Sequence, residues 1–240
     1  MMLIIQQLIR LSKNIHFEYP SFEVIIEYKK FIMEQIELIN KFYLYNKALY
    51  ESANNPLRSY GPEHHMRVCQ NALKLSKLLS AKDKAIDYEI LIPACLLHDL
   101  AAYYPEESGE NYHDLDHVKA NEVLVKDGYD TEKVKKILHV IASHGSDPKY
   151  KDEKEDIEVT ILRDADKLDV FGALGIARVI MVRTLKGDTI PQIVDDFYTK
   201  GHLKRKWDSI TTDEAREMCL ADYEYSMDYF SRLDKELKSI

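Results

Sequence analysis

The chain has 240 residues, a formal net charge of −8 at pH 7, and a composition that is 45% hydrophobic and 31% charged. That length and balance suit one large or two small soluble domains with a substantial buried core. The acidic charge argues against holding a nucleic-acid polymer on a basic surface, so an anionic ligand needs local positive charge from a metal or a few Lys and Arg. Cys69, Cys95 and Cys219 are widely spaced, with no C-x-x-C pair, which argues against a zinc ribbon or a disulfide framework. The opening MMLIIQQLIRL is broken by Gln6 and Gln7 and lacks a basic n-region and a small-residue cleavage site. No run of about 18 apolar residues is present. A cytoplasmic protein with no membrane partner is expected.

The predicted elements are helical from the first clear one. Residues 21–53 follow Pro20 and place Val24, Ile25, Tyr28, Ile32, Ile36, Ile39 and Tyr43 in helical register, as one helix or two. The segment NNPLRSYGP, residues 54–62, reads as a loop, and 63–80 as a helix with Val68, Ala72, Leu75 and Leu79 on one stripe. Asp87 is positioned to cap the next helix, which contains Pro93 and runs into His98-Asp99. A polar loop is predicted over 103–114, helices over 115–127 and 131–144, and a charged exposed segment over 147–156. Residues 157–186 read as one long helix in which Gly172 and Gly175 admit a close neighbour, and Thr211 to Glu214 as a capping box for the last helix. Without repeats or a strand ladder, the class is all-α, a compact helical bundle.

Seven of the nine histidines (64, 65, 98, 113, 117, 139 and 144) fall within an 81-residue window. His64 shares its helix face with Val68, Ala72, Leu75 and Leu79, where it is a hydrogen-bonded core histidine or a ligand. His98 and Asp99 are adjacent, about 100° apart in a regular helix, so both reach one ion only if it sits beside the helix. In ILRDADKLDVFGALGIAR, residues 161–178, Asp166 shares a face with Leu162, Val170 and Ala173. An ionised carboxylate there needs a paired charge or a metal. Salt bridges are expected for Asp164 and Asp169, and a metal for Asp166. His64, His98, Asp99 and Asp166 together give two imidazoles and two carboxylates. That N/O donor set suits one divalent Mn²⁺, Mg²⁺, Fe²⁺, Co²⁺ or Zn²⁺, with open positions for water and substrate.

The sequence resembles the HD-domain metal-dependent phosphohydrolase superfamily, within it the small stand-alone hydrolases. HHMRVCQNALKLSKLL is similar to its first ligand helix, with His64 three before the Arg of H-x-x-R-V. AIDYEILIPACLLHDLA is similar to the segment with the name-giving His-Asp, and ILRDADKLDVFGALGIARV to the last ligand helix, with Asp166 in the metal position. ILHVIASHG and the segment from Ile210 onward add to the likeness. The match spans roughly residues 60–238, so residues 56–240 are expected to form the HD domain, behind an N-terminal helical extension over 1–55.

The resemblance implies a buried metal centre and hydrolysis of a phosphate ester or phosphoanhydride in a small phosphorylated substrate, with nucleotides favoured. Lys167 and Arg67 are candidates to grip phosphate, and each can equally be a structural ion-pair partner. His117, His139 and His144 are candidates for substrate contact or proton transfer, for a polar rim, or for a second metal. His113 and His16 read as surface residues. Two further readings stand beside the hydrolase: a regulatory module that binds nucleotide or metal without turnover, and an oxygenase with two irons.

Overall fold

Helix α3, Tyr88–Leu97, is the axis of the molecule: every residue from Ile90 to Leu97 is buried. A helix apolar on all sides must be enclosed, and α3 is packed by α1 (Phe22–Ser52), α2 (Pro62–Ser80), α5 (Thr131–Ser143) and α6 (Ile157–Leu168). The computed structural model describes residues 22–53, 61–82, 84–104, 112–145 and 156–239. The expectations for residues 1–21, most of the two polar loops, His16 and the 147–156 segment apart from Asp156 lie outside these residues, as does the side chain of His113.

Asp87 caps α3 by accepting from Glu89 N at 3.0 Å, as the sequence predicts. Pro93 lies inside the helix. A 3₁₀ turn over Leu100–Tyr103 leads out of the His-Asp pair, followed by α4, Tyr112–Lys126, which packs on that turn and on α5. Asp130 caps α5 through Glu132 N and Lys133 N, both at 3.0 Å.

The helix predicted over 157–186 is two helices. α6 ends at Leu168, and α7, Gly172–Leu185, begins after a turn at Asp169–Phe171. Gly172 has φ +78°, and its N–H donates to Ser226 Oγ at 2.9 Å. A Cβ on Gly175 would come within 2.2 Å of Val170 O. Gly172 therefore admits another helix, whereas Gly175 admits the turn of its own chain.

Residues 190–208 form α8 (Ile190–Val194), a π-helical turn (Asp195–Thr199) and α9 (His202–Asp208). The final helix, α10, spans Asp213–Lys238. Its cap is Thr212, which accepts from Ala215 N, rather than Thr211 in the predicted box. Thr211 N and Thr212 N instead donate to the fully buried Asp164 at 2.8–3.1 Å. Backbone amides, more than the expected salt bridge, hold that carboxylate. One apolar core joins Ile39 and Phe42 of α1 to Phe230 of α10, and the described residues contain no strand. The molecule is an all-α helical bundle.

Candidate metal centre

The first turn of α2 projects His64 inward, where it is 2% exposed. Asp169 at the end of α6 faces its Nδ1 at 2.7 Å. An imidazole whose Nδ1–H donates to a carboxylate presents the Nε2 lone pair on its other side. His64 Nε2 lies 3.4 Å from Asp166 Oδ1. Burial lowers the His64 pKa, against the opposing pull of Asp169 and Asp166, so the neutral, ligating form is favoured.

The backbone resolves the difficulty of adjacent ligands. α3 stops at Leu97, His98 turns to an extended conformation (ψ 159°), and Asp99 is left-handed (φ 55°, ψ 23°). The two side chains leave a kinked chain rather than a helix, so the 100° divergence does not apply. Asp99 is the one non-glycine with positive φ among the described residues, a conformation that stores about 1–3 kcal/mol and clusters at functional sites. His98 Nδ1 donates to Cys95 O at 2.8 Å. Its Nε2 is buried with no hydrogen-bond partner among the described residues and lies 3.8 Å from Asp166 Oδ1.

Ligand atoms of His64, His98 and Asp99 fall within 4.8 Å of one another, close to twice a metal–ligand distance of about 2.0–2.4 Å. Asp166 is 30% exposed, whereas the imidazoles of His64 and His98 are at most 2% exposed. The histidines thus form the floor and the carboxylates the solvent side. Burial opposes ionisation of Asp99 and Asp166, but neighbouring imidazoles hold both well below the usual carboxylate range: His144 and His98 for Asp99, His98 and His64 for Asp166. A buried imidazole nitrogen aimed at two ionised carboxylates fits a divalent cation.

Of the other candidates, His144 reaches the site. It caps α5, its Nδ1 donates to Ile141 O, and its Nε2 lies 3.5 Å from Asp99 Oδ1. Although burial favours its neutral form, Asp99 pushes its pKa up to about 9. Arg163 holds this end of α5 by donating to Ser143 O at 2.6 Å and His144 O at 3.3 Å. His139 points elsewhere, with Nδ1 3.4 Å from Ser143 Oγ. His139 and His117 line a separate groove between α4 and α5, of about 540 Å³, with Asn121, Tyr129 and Lys135.

Arg67 grips Asp169 through Nε at 2.6 Å and an Nη at 3.0 Å; Arg178 also donates to Asp169. The ion pair expected for Asp169 is present, and it orients the carboxylate behind His64. Lys167 donates to Ser209 O and lies 3.9 Å from Asp164.

Sequence reasoning missed two residues here. His65, fully buried, donates from Nε2 to His98 O at 2.6 Å, and burial together with the neighbouring His98 and His64 keeps its pKa well below 6.5. Asp116 of α4, 2% exposed, accepts from Ala101 N at 2.6 Å. Burial and the charge of Asp99 raise its pKa to about 7. The burial of His65 beside His64 carried a signal in the doubled histidine; Asp116, in a polar run, carried none.

Residues 63–170 match the model of the HD domain. YpgQ of Bacillus subtilis is 29% identical over 183 residues, covering 74% of this chain and 84% of YpgQ. The crystal structure of YpgQ in complex with ADP aligns with TM-score 0.61 at 23% identity, over 82% of this chain and 97% of that one. An HD-superfamily hydrolase from Bacillus thuringiensis aligns with TM-score 0.61 at 25% identity, over 86% and 100% of the two chains. A Lactobacillus plantarum protein, 18% identical with TM-score 0.67 over 85% and 98%, shares the fold. With His64, the His98-Asp99 pair and Asp166 in order on an all-α bundle, residues 63–170 are an HD domain, of the kind found in HD-superfamily hydrolases.

Proposed function

We propose that the chain is a metal-dependent phosphohydrolase that cleaves a phosphate ester or phosphoanhydride of a small metabolite, with a nucleotide as its substrate. The observation that carries this reading is the convergence of His64, His98 and Asp99 within 4.8 Å, with Asp166 Oδ1 at 3.4 and 3.8 Å from the two imidazoles. These four residues would hold one divalent ion. Such an ion supplies Lewis acidity, acidifying water near neutral pH and neutralising charge on a phosphoryl group. The partly exposed carboxylate side is the entry for substrate. His144, 3.5 Å from Asp99 Oδ1 and charged against it in the absence of cation, would donate a proton or hydrogen bond to a phosphoryl oxygen. The ADP bound by YpgQ supports a nucleotide.

The test is to strip the purified chain of metal, add back Mn²⁺, Mg²⁺, Fe²⁺, Co²⁺ or Zn²⁺ separately, and assay a nucleotide panel for phosphate and pyrophosphate. Turnover that requires metal and disappears in His98→Ala is expected, and the product identifies the bond cut. Nucleotide binding without turnover under every metal would instead make the chain a binding module.

A further inference from the structure

Asn46 lies on α1, outside the residues matched to the HD domain, and is fully buried. A buried amide without partners is costly, and the partners of this one lead to the metal centre. Its Nδ2 donates at 2.7 Å to Leu96 O, one of the last carbonyls of α3, which a helix end leaves without an intrahelical donor. Its Oδ1 accepts from the Tyr103 hydroxyl at 2.7 Å. That hydroxyl lies 3.2 Å from His65 Nδ1, and His65 Nε2 donates to His98 O at 2.6 Å.

The His98 carbonyl belongs to the peptide that joins the two central residues of the site. A peptide is planar, so its orientation sets ψ of His98 and φ of Asp99 together. Here those angles are 159° and 55°, and a left-handed φ is disfavoured for a residue with a Cβ. Rotating that peptide would relieve Asp99 and swing its carboxylate away from His64 and His98. The His65 bond opposes the rotation, while Asn46, fixed by the Tyr103 hydroxyl, holds the end of α3 and the Tyr103 ring packs edge-on against His65 at 5.7 Å between centroids.

We infer that Asn46 and Tyr103 are positioning residues for His98-Asp99, which makes the N-terminal helix α1 part of the framework of the metal centre. This rests on the metal-centre reading above. Neither residue touches the site; they act through His65 and the backbone of Leu96 and His98.

The test is Mn²⁺ calorimetry on the full chain, with thermal unfolding of each metal-free variant. Asn46→Ala and Tyr103→Phe should each weaken Mn²⁺ by about tenfold or more, the scale for groups that orient ligands. The double variant should bind about as well as the weaker single one, because both changes break one chain of contacts. Tyr103→Phe keeps the buried ring, so it separates the hydroxyl from folding. Ile39→Val, which trims the same face of α1 at a core position, should lower the melting temperature and leave Mn²⁺ affinity unchanged.

Wild-type affinity in Tyr103→Phe, multiplicative losses in the double variant, or an equal loss in Ile39→Val would each overturn the inference. If His98→Ala loses Mn²⁺ while Tyr103→Phe keeps it, the metal centre stands and the positioning role falls. If the wild-type chain binds no Mn²⁺, both fall.

Discussion

Asp99 concentrates the residue-scale physics of this protein. It is left-handed, joined to an extended His98, and faced by His144 at 3.5 Å. The sequence shows candidate ligands when their chemistry conflicts with their surroundings: a histidine on an apolar stripe, an aspartate among Leu and Ala, a His-Asp pair closing a core helix. His64, His98, Asp99 and Asp166 were legible as candidates on that basis, and the fold brings them together. Partner choice was not. Arg67 and Lys167 are equal in sequence as phosphate grips or ion pairs, and their partners in the structure lie more than 40 residues away: Arg67 pairs with Asp169, and Lys167 donates to Ser209 O. Asp166→Ala should abolish metal binding and turnover while the metal-free chain keeps its helical circular dichroism; full metal occupancy in that variant would remove Asp166 from the ligand set. His144 gives a pH prediction for the metal-free chain. Its folded pKa of about 9 exceeds the ordinary 6.5, so its stabilising contribution is complete below 6.5 and is lost as pH rises toward 9. Between pH 7 and about 8.5 this should remove about 1–2 kcal/mol of unfolding free energy, at up to about 1.4 kcal/mol per pH unit. Urea unfolding should show that slope in the wild type and a much shallower one in His144→Gln, the remainder coming from Asp116 with its pKa of about 7; an equal slope in both would assign it elsewhere.

At the scale of elements, caps and apolar periods predicted α2, α3, α5 and α10 to within a few residues. The break between α6 and α7 was not predicted. Asp169, Val170 and Phe171 are compatible with a helix, and only Gly172, with φ +78°, marks the turn. That turn matters to the site, because it places Asp169 behind His64 and lets Arg178 of α7 return to it. Gly175 is where the turn closes on itself. Gly175→Ala would force a Cβ against Val170 O, which the 2.2 Å approach does not allow. A loss of about 1–3 kcal/mol, the usual cost of overpacking, is expected in urea unfolding, and neutrality would show that the turn relaxes freely. The role of α1 was invisible in sequence for a different reason. Asn46 is one polar residue in a helix of ordinary amphipathic pattern, and its partners, Leu96 and Tyr103, lie about 50 residues further on.

At the scale of the whole molecule, the bundle brings α2, the end of α3 and α6 around one cluster of opposite charges. No described helix is long and apolar enough to cross a membrane. The groups that meet there are ones a folded core would otherwise avoid: two buried imidazoles and two ionised carboxylates, with a third imidazole alongside. Their joint placement is what a divalent cation stabilises, and the position of that cation is the most direct question to put to the molecule. The measurement is anomalous diffraction at the manganese edge from crystals grown with Mn²⁺. One peak bounded by the Nε2 atoms of His64 and His98 and by carboxylate oxygens of Asp99 and Asp166 is the predicted result. An empty cluster, with manganese absent or held only by other residues such as His117 and His139, would contradict it.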